Sequence, residues 1–279
     1  MSFWQTTRFR IDLSGPRVMG IVNVTPDSFS DGGRHGNATA AVRACELLLE
    51  EGADILDIGG ESSRPGAEAL PLQQELDRVL PVLREAVRLG VPVSIDTYKP
   101  EVMQAALDLG VDIVNDINAL RAPGAEATVA AHPACGVCLM HMQGQPKSMQ
   151  ASPSYEGDVL EAVGGFLAER AAALRGQGVG GERIVLDPGF GFGKSVEHNF
   201  ELLARQRELL ALGYPLLAGW SRKSSLGAVT GRAVGDRLVP SVAAALAAVI
   251  LGARVVRVHD VAATVEALKV WRAARLVSG

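Results

Sequence analysis

The chain has 279 residues, 48% of them hydrophobic, and its 27 basic and 31 acidic residues give a net charge of −4. Glycine, proline and charged residues interrupt every apolar run before it approaches the roughly 18 residues of a membrane span. No basic cluster of the kind that neutralises a nucleic-acid backbone is present. The first residues, MSFWQTTRFRIDLSG, lack the apolar core and cleavage site of a secretory signal. We therefore expect a cytoplasmic protein that binds neither membranes nor nucleic acid.

Eight short apolar runs alternate with polar or glycine-rich turns and longer helical patterns. Their near-continuous apolarity is typical of parallel strands that are buried on both faces. Eight strands alternating with helices predict an α/β fold, the (β/α)₈ or TIM barrel, built by residues 1–279 as a single domain. The eight predicted strands are 18–22, 55–58, 91–95, 113–114, 136–140, 184–186, 215–218 and 255–258.

Capping signals predict the bounds of several helices. Asn37 is a suitable N-cap for a first helix that Gly52 ends, and Pro100 and Gly110 bracket the third. An apolar stripe over 76–87 predicts the second helix, which Pro81 should kink. The stretch after the fourth strand is short, and later helices are predicted at 159–175, 198–212, 239–251 and 261–276.

Polar residues follow seven of the eight predicted strands. In a barrel the carboxyl ends of the strands converge on one rim, where enzymes of this fold keep their active sites. Any one of these residues alone is better explained as a helix cap or turn former. Together they predict a site, formed from Asn23, Asp57, Asp96, Asn115, Asp116, Asp187, Ser221, Arg222, Lys223, Arg257 and His259.

The residue types at this rim suggest what it binds. Asp96, Asn115 and Asp187 offer acceptors and amide donors suited to the edge of a flat heterocycle. Arg257 can stack on a ring or pair with an anion, and Lys223 is a point charge for an oxygen atom. Groups suited to phosphate oxygens, or to a hard cation bound with them, are Asn23, Arg64 and His259. The rim therefore fits a polar heterocycle joined to an anionic leaving group.

Two long loops near 24–36 and 59–70, TPDSFSDGG and GGESSRPGAE, carry hydroxyls, carboxylates and an arginine. Loops of this length in a compact barrel are usually lids or binding loops, although ordinary surface turns have similar compositions. The segment LDPGFGFGKS fails both glycine-rich phosphate-binding motifs. It predicts a turn in which glycines keep side chains away from a ligand and Phe192 packs on it.

Several other residues have no clear chemical partner. Cys135 and Cys138 form a C-x-x-C, but they lie on a predicted strand, where positions three apart face opposite sides, so a metal or redox role is not expected. His132 and His141 flank the same strand without a partner at metal-ligand spacing. Met140 and Met142 are suited to a flat ligand or to the core alike.

These motifs resemble those of the dihydropteroate synthase family over nearly the whole chain. They occur in the family's order: MGIVNVTPDSFSDGG, DIGGESSRPGA, SIDT, VNDI, MHMQGQP, LDPGFGFGK, GWSRKSSLG and VRVHDV. The resemblance implies a barrel that joins 6-hydroxymethyl-7,8-dihydropterin diphosphate to 4-aminobenzoate, releasing diphosphate and forming 7,8-dihydropteroate for folate biosynthesis. It further implies assistance by Mg²⁺, a homodimer and inhibition by sulfonamides.

The resemblance also implies roles for single residues. Asp96, Asn115, Asp187 and Lys223 would hold the pterin edge, and Arg257 would cover one face of the ring. The slot would be shaped by Met140, Phe192 and Gly219, and the 4-aminobenzoate pocket by Ser63, Pro65, Lys223 and Ser224, with Asp27, Phe29 and Ser30 on the first lid. Asn23 would ligate Mg²⁺ and would hold the diphosphate together with Arg64, Arg257 and His259. The residues expected to act in catalysis are Asp96, Lys223, Arg257, Asp27 and Arg64.

The sequence departs from the family pattern at two places, Ser63, where threonine is more common, and Ser225, where a bulkier apolar residue is common. Both departures are expected to change the aminobenzoate pocket without removing a charged group. Two alternative functions are a folate-to-corrinoid methyltransferase on a related barrel and a catalytically silent pterin-binding paralogue. The long loops and the SRK segment disfavour the first, and the complete rim disfavours the second.

Overall fold

The computed structural model describes residues 2–25, 33–62, 66–145, 149–151 and 153–274. All eight predicted strands are confirmed. They are β3 (Arg17–Asn23), β4 (Ile55–Gly59), β5 (Val93–Asp96), β6 (Ile113–Asp116), β7 (Gly136–Met140), β8 (Ile184–Asp187), β9 (Leu216–Ala218) and β10 (Ala253–Val258). Their order in the closed parallel barrel is β10-β3-β4-β5-β6-β7-β8-β9, so each strand lies beside its neighbour in sequence. The predicted (β/α)₈ barrel is therefore confirmed.

The helices follow the strands as the sequence indicates. They are α1 (Gly33–Glu50), α2 (Leu72–Ala86), α3 (Pro100–Asp108), α4 (Ala125–Ala131), α5 (Val159–Gly176), α6 (Val196–Ala204), α7 (Ser224–Thr230), α8 (Leu238–Ile250) and α9 (Val261–Ala273). Pro100 opens α3 as predicted, and Gly110 follows it with a φ of 87°. The prediction for Asn37 is wrong, because α1 already begins at Gly33. Pro81 lies inside α2 without ending it.

No helix in the described parts of the chain is long and apolar enough to cross a membrane.

Side chains alternate between the barrel interior and the helix layer with the period of two that strands impose. On β4, for example, Leu56 and Ile58 belong to the core beneath the helices, whereas Ile55 belongs to a separate cluster inside the barrel. That inner cluster also takes one residue from each of six other strands, namely Met19, Ile113, Cys138, Val185, Leu217 and Val255. Two residues further along, each of these strands turns its next inward position towards the carboxyl rim.

A two-stranded antiparallel hairpin, β1 (Phe3–Gln5) and β2 (Arg10–Asp12), packs on the inner cluster, and the sequence analysis did not predict it. Trp4 is fully buried there, and its indole Nε1 donates to the carbonyl oxygen of Arg183 at 2.8 Å. Arg8, in the turn of the hairpin, forms a 2.5 Å ion pair with the buried carboxylate of Asp112. The hairpin therefore covers the interior cluster at the end of the barrel away from the polar rim.

This packing predicts that Trp4→Ala destabilises the whole barrel. Loss of a fully buried tryptophan should lower the free energy of unfolding by about 3–5 kcal/mol, measured by urea denaturation. The control Leu47→Ala, at a position that is 44% exposed on α1, should change it by less than about 0.5 kcal/mol. Equal effects of the two substitutions would contradict this role for the hairpin.

Candidate active site

An arginine paired with two aspartates lies at the carboxyl rim. Arg257 of β10 donates from Nε to Asp57 of β4 at 2.5 Å and from Nη2 to Asp96 of β5 at 2.6 Å. Asp57 is fully buried, and its Oδ1 has no hydrogen-bond partner among the described residues. The hydrogen bonds of a guanidinium lie in its plane, so this pairing fixes the orientation of the plane and leaves its faces available for stacking.

Burial and neighbouring charges shift the pKa values of Asp96 and Arg257. Burial raises the pKa of Asp96 to about 7, although Arg257 opposes this change. Burial opposes the charged form of Arg257 too, but Asp57 and Asp96 raise the pKa of its guanidinium above the ordinary value. One cation among two carboxylates leaves the group acidic when all three are ionised, which suits a ligand edge rich in N–H donors.

Two further predicted residues continue the polar edge. Asn115 at the end of β6 is 5% exposed, and its Nδ2 donates to Asp57 Oδ2 at 3.2 Å. Asp187 at the end of β8 is also 5% exposed, and burial raises its pKa to about 6, with Lys223 among the cations that oppose the change. The structure thus brings Asp57, Asp96, Asn115 and Arg257 into one bonded network, with Asp187 two strands beyond Asn115 in the barrel.

Lys223 stands beside an aromatic ring rather than inside an ion pair. Its Nζ lies 3.8 Å from the centroid of the Phe192 ring. Burial lowers the pKa of Lys223 to about 7, while Asp187 acts in the opposite direction. An ammonium over a ring face is stabilised by the ring quadrupole, and partial desolvation strengthens its interaction with any incoming oxygen or anion. Lys223 and Phe192 therefore form one contact unit, as expected for two walls of a single site.

Apolar side chains form a slot next to the polar edge. Met140 and Phe192, both predicted, pack in one buried cluster with Ile117, Met142 and Met149. A Cβ added at Gly219 would meet Asp187 Oδ2 at 4.0 Å, so Gly219 lies next to that carboxylate. Methionine, phenylalanine and isoleucine surfaces beside carboxylates fit a flat ring with polar edges.

The glycines of the turn after β8 make room for neighbouring parts of the protein. Gly189, Gly191 and Gly193 all have positive φ. A Cβ on Gly189 would lie 1.9 Å from the carbonyl oxygen of His141, and one on Gly193 would lie 2.4 Å from that of Gln143. The glycines therefore make room for the neighbouring loop after β7 and, at Gly191, for the side chain of Lys223; that they also keep side chains away from a ligand stays a prediction.

Residues at the ends of β9 and β10 are tied to each other. The hydroxyl of Ser221 accepts from the backbone N–H of His259 at 3.1 Å and lies 3.0 Å from its Nδ1. Arg222, predicted at the rim, instead forms an ion pair with Asp260 at 2.6 Å and has a φ of 59°. Ser224 is exposed at the start of α7. His259 thus remains a candidate ligand-binding group, whereas Arg222 shapes the turn.

Ser225 is buried and hydrogen-bonded. It is 3% exposed, and its hydroxyl lies 3.1 Å from Nδ2 of Asn199, which donates to it. Asn199 is itself fully buried and accepts from the backbone N–H of Gly191 at 2.6 Å. Ser225 therefore links the start of α7 to the loop after β8, and its effect on the aminobenzoate pocket stays a prediction.

Asp116 is a turn former and not a rim residue. Its fully buried carboxylate accepts from the backbone N–H groups of Asn118 at 2.6 Å and Leu120 at 2.7 Å. This holds a turn in which Ala119 and Leu120 both adopt positive φ, a conformation that non-glycine residues adopt only when the surroundings enforce it. For Asp116, the explanation of a strand-end polar residue as a turn former is therefore the correct one.

The cysteines and histidines around β7 have structural contacts. Cys138 belongs to the cluster inside the barrel and Cys135 to the core beneath the helices, and both are free thiols. Nδ1 of His132 accepts from the backbone N–H of Cys135 at 2.9 Å. His141 contacts a buried lysine, Lys194, with 2.9 Å between Nδ1 and Nζ.

Several predicted site residues lie outside the described residues. These are Asp27, Phe29, Ser30, Ser63, Arg64 and Pro65. The described flank of the second loop is held by charge: Lys99 forms ion pairs with Glu61 and with buried Glu75, and Tyr98 donates to Glu61 at 2.9 Å. Tyr98 also packs on the apolar slot, so this network connects the base of the second loop to the site.

Sequence reasoning missed several contributors to the site. Ile117 ends the VNDI motif and Tyr98 directly follows SIDT, but neither was predicted as a site residue. Asn199 and Lys194 were missed because they lie beyond the strand ends, on α6 and in the turn before it. Their polarity inside otherwise buried segments becomes visible only once the packing of the loops is known.

Comparison with known proteins agrees with this geometry. Residues 19–259 match the model of a family described as pterin binding enzyme. A dihydropteroate synthase from Neisseria meningitidis serogroup B is 52% identical over 276 residues, covering 97% of this chain and 96% of that protein.

Two solved structures match over nearly the whole chain. A Xanthomonas albilineans dihydropteroate synthase with 4-aminobenzoic acid has a TM-score of 0.90 at 51% identity and covers 96% of both chains. A Burkholderia cenocepacia dihydropteroate synthase complexed with 7,8-dihydropteroate has a TM-score of 0.89 at 49% identity, covering 98% of this chain and 96% of that one. This chain belongs to the pterin binding enzyme family, among its dihydropteroate synthases.

Proposed function

We infer that this protein is a transferase that joins 6-hydroxymethyl-7,8-dihydropterin diphosphate to 4-aminobenzoate, forming 7,8-dihydropteroate and diphosphate. The observation that carries this inference is the network of Arg257, Asp57, Asp96 and Asn115 beside the slot of Met140 and Phe192. Its polar edge and apolar faces match a pterin ring. Relatives that are about half identical over nearly the full length carry the same activity.

Each group at the rim has a physical task in this reaction. Asp187 accepts hydrogen bonds from the pterin edge, and Asn115 donates to it. Arg257, whose orientation is fixed by Asp57 and Asp96, covers a ring face. In a dissociative substitution the C–O bond to diphosphate breaks first and leaves a pterin-stabilised cation. The carboxylate of Asp96 stabilises this positive charge, Lys223 holds the pterin edge, and Arg257 and His259 stabilise the leaving oxygens. The neutral arylamine then attacks without a general base.

The two lid loops and their residues belong to the same proposal. Asp27 would act from the first lid, Arg64 would hold the diphosphate, and Ser63 and Ser224 would line the aminobenzoate pocket. Sulfonamides, which are arylamines like 4-aminobenzoate, would compete for that pocket. We propose a cytoplasmic location as well, because the three cysteines are free thiols, and free thiols are usual in a reducing compartment.

The first test is diphosphate release by the purified protein with Mg²⁺, with and without 4-aminobenzoate. Release should depend on the arylamine and yield dihydropteroate. Lys223→Ala should lower kcat/KM by about a hundredfold or more, because it removes a positioned charge from a desolvated site. Lys269→Ala, at an exposed position on α9, is the matched control and should retain full activity.

The two alternatives predict different outcomes of the same assay. A silent paralogue would bind the pterin tightly and show no turnover in the wild-type protein. A folate-to-corrinoid methyltransferase would release no diphosphate in response to 4-aminobenzoate. Either result would remove the synthase assignment.

The described residues fit a magnesium ion only if the substrate supplies most of its ligands. Among them no group of three His, Cys, Asp or Glu side chains could hold a metal ion. Asn23 offers one amide oxygen at the end of β3, next to β10 and its following His259. Mg²⁺ is commonly bound by one or two protein oxygens together with phosphates and water. We propose that Asn23 holds Mg²⁺, which would neutralise charge on the leaving diphosphate.

This donor set predicts that Mg²⁺ binds weakly to the protein alone and more tightly with inorganic diphosphate, measured by isothermal titration calorimetry. Asn23→Ala should weaken the binding seen with diphosphate by about tenfold, or 1.4 kcal/mol. Gln104→Ala, which removes an exposed amide from α3, should leave it unchanged. Equal Mg²⁺ affinity with and without diphosphate would contradict this arrangement.

We also propose a homodimer. The helix α8 carries no charged residue, and Leu238 and Val239 at its start are 45% and 75% exposed. Val229 on the adjacent α7 and Val270 on the adjacent α9 are 57% and 70% exposed, so three neighbouring helices present apolar side chains to solvent. An apolar surface spread over adjacent helices is typical of a subunit interface.

Light scattering should give a mass twice the 29.3 kDa of one chain. Val239→Asp should shift the protein towards the monomer, because the interface would then bury an unpaired charge. Leu47→Asp, which places the same charge on the exposed face of α1, should leave the mass unchanged. A wild-type mass of one chain would remove the dimer proposal.

A further inference from the structure

A buried lysine lies outside the set of strand-end residues. Lys194, at the end of the turn after β8, is only 2% exposed. Its Nζ donates to the carbonyl oxygens of Gly189 at 3.0 Å and Phe192 at 3.1 Å, and it lies 2.9 Å from Nδ1 of His141. An ammonium group has three N–H donors, so these three contacts satisfy it completely. Burial lowers the pKa of His141 to about 2, so its Nδ1 is a neutral acceptor.

These contacts fix the loop that carries one wall of the slot. Both backbone polar groups of Gly189 are hydrogen-bonded. Its N–H donates to Asp187 at 2.7 Å, and its carbonyl oxygen accepts from Lys194. Gly189 also lies against the backbone of His141, so the loops after β7 and β8 pack closely. Lys194 therefore lies between these two loops, directly behind Phe192.

We propose that Lys194 is a positioning residue for pterin binding, which holds the Phe192 loop in place and supplies a positive charge behind Asp187. The proposal rests on the synthase function proposed above. Lys194 holds the slot through the carbonyl oxygens of Gly189 and Phe192, and its charge acts on Asp187 through space. A structural lysine without this role would change stability but not the affinity or pH profile of the folded protein.

The charges around Asp187 support the proposed role of the positive charge of Lys194. Burial raises the pKa of Asp187 to about 6, and the backbone N–H of Gly189 and the cations Lys223, Lys194 and Arg257 oppose the rise. The buried thiol of Cys138 also lies within the field of Asp187. Burial lowers the pKa of Lys194 to about 7, so this lysine is mainly charged at the pH where Asp187 takes up its proton. Removal of its charge should raise the pKa of Asp187 further. Pterin affinity, which needs the ionised carboxylate, should then be lost at a higher pH.

The test measures the Kd of 6-hydroxymethyl-7,8-dihydropterin diphosphate with Mg²⁺ between pH 5 and 8. For the wild type, affinity should fall as the pH drops through about 7 and then about 6, where Asp96 and Asp187 take up their protons. Lys194→Met should raise Kd about tenfold at pH 7.5 and move the midpoint of the fall upwards. The KM for 4-aminobenzoate should change less than about twofold, since the effect is on the pterin side. The control Lys269→Met removes an exposed lysine and should reproduce the wild-type curve.

A second variant protects the test against a folding failure. Lys194→Gln removes the charge but retains an amide donor for the two carbonyls, and its pH midpoint should shift as in Lys194→Met. An unchanged Kd and midpoint in either folded variant would overturn the proposal. Turnover of the wild type is measured in parallel, so failure of the synthase function is seen separately from failure of the role of Lys194.

Discussion

The pairing of Arg257 with Asp57 and Asp96 is the constraint on which the rest of the site depends. Taking three charged groups out of water costs several kcal/mol per ion, and their mutual attraction offsets this only when the geometry is good. The barrel supplies that geometry, because β10, β4 and β5 bring the three side chains within hydrogen-bonding distance of one another. Such a triad contributes little net stability, so its value lies in a guanidinium plane that is already oriented before the ligand arrives.

The alternation of the strands explains why the triad and its neighbours could be predicted from sequence. Inward positions on β6, β8 and β10 run from Ile113, Val185 and Val255 in the interior cluster to the polar residues two positions later. Apolar residues below and polar residues above follow from one pattern of period two. The barrel and most of the polar rim could therefore be predicted from the sequence. The observed strand bounds differ from the predicted ones by no more than two residues.

The features that could not be predicted from the sequence are those that depend on contacts between distant segments of the chain. Trp4 bonds to a carbonyl 179 residues away, and a three-residue strand has too few positions to show a periodic pattern. Asp116 and Asp187 both end strands in the same polar context, yet one caps a strained turn and the other lines the site. The difference between them depends on the path of the following loop, which local residue preferences do not determine.

The loops after β8 and β9 behave as one packed unit, and the proposed chemistry explains why this matters. The buried amide of Asn199 bonds to Gly191 in one loop and to Ser225 after the other, so Phe192 and Lys223 keep a fixed separation. If the diphosphate leaves before the arylamine attacks, no proton transfer needs to be timed, and the rate depends on how well the cation and leaving group are held. A slot whose walls share buried hydrogen bonds meets that requirement, because its dipoles and charges are placed before the reaction begins.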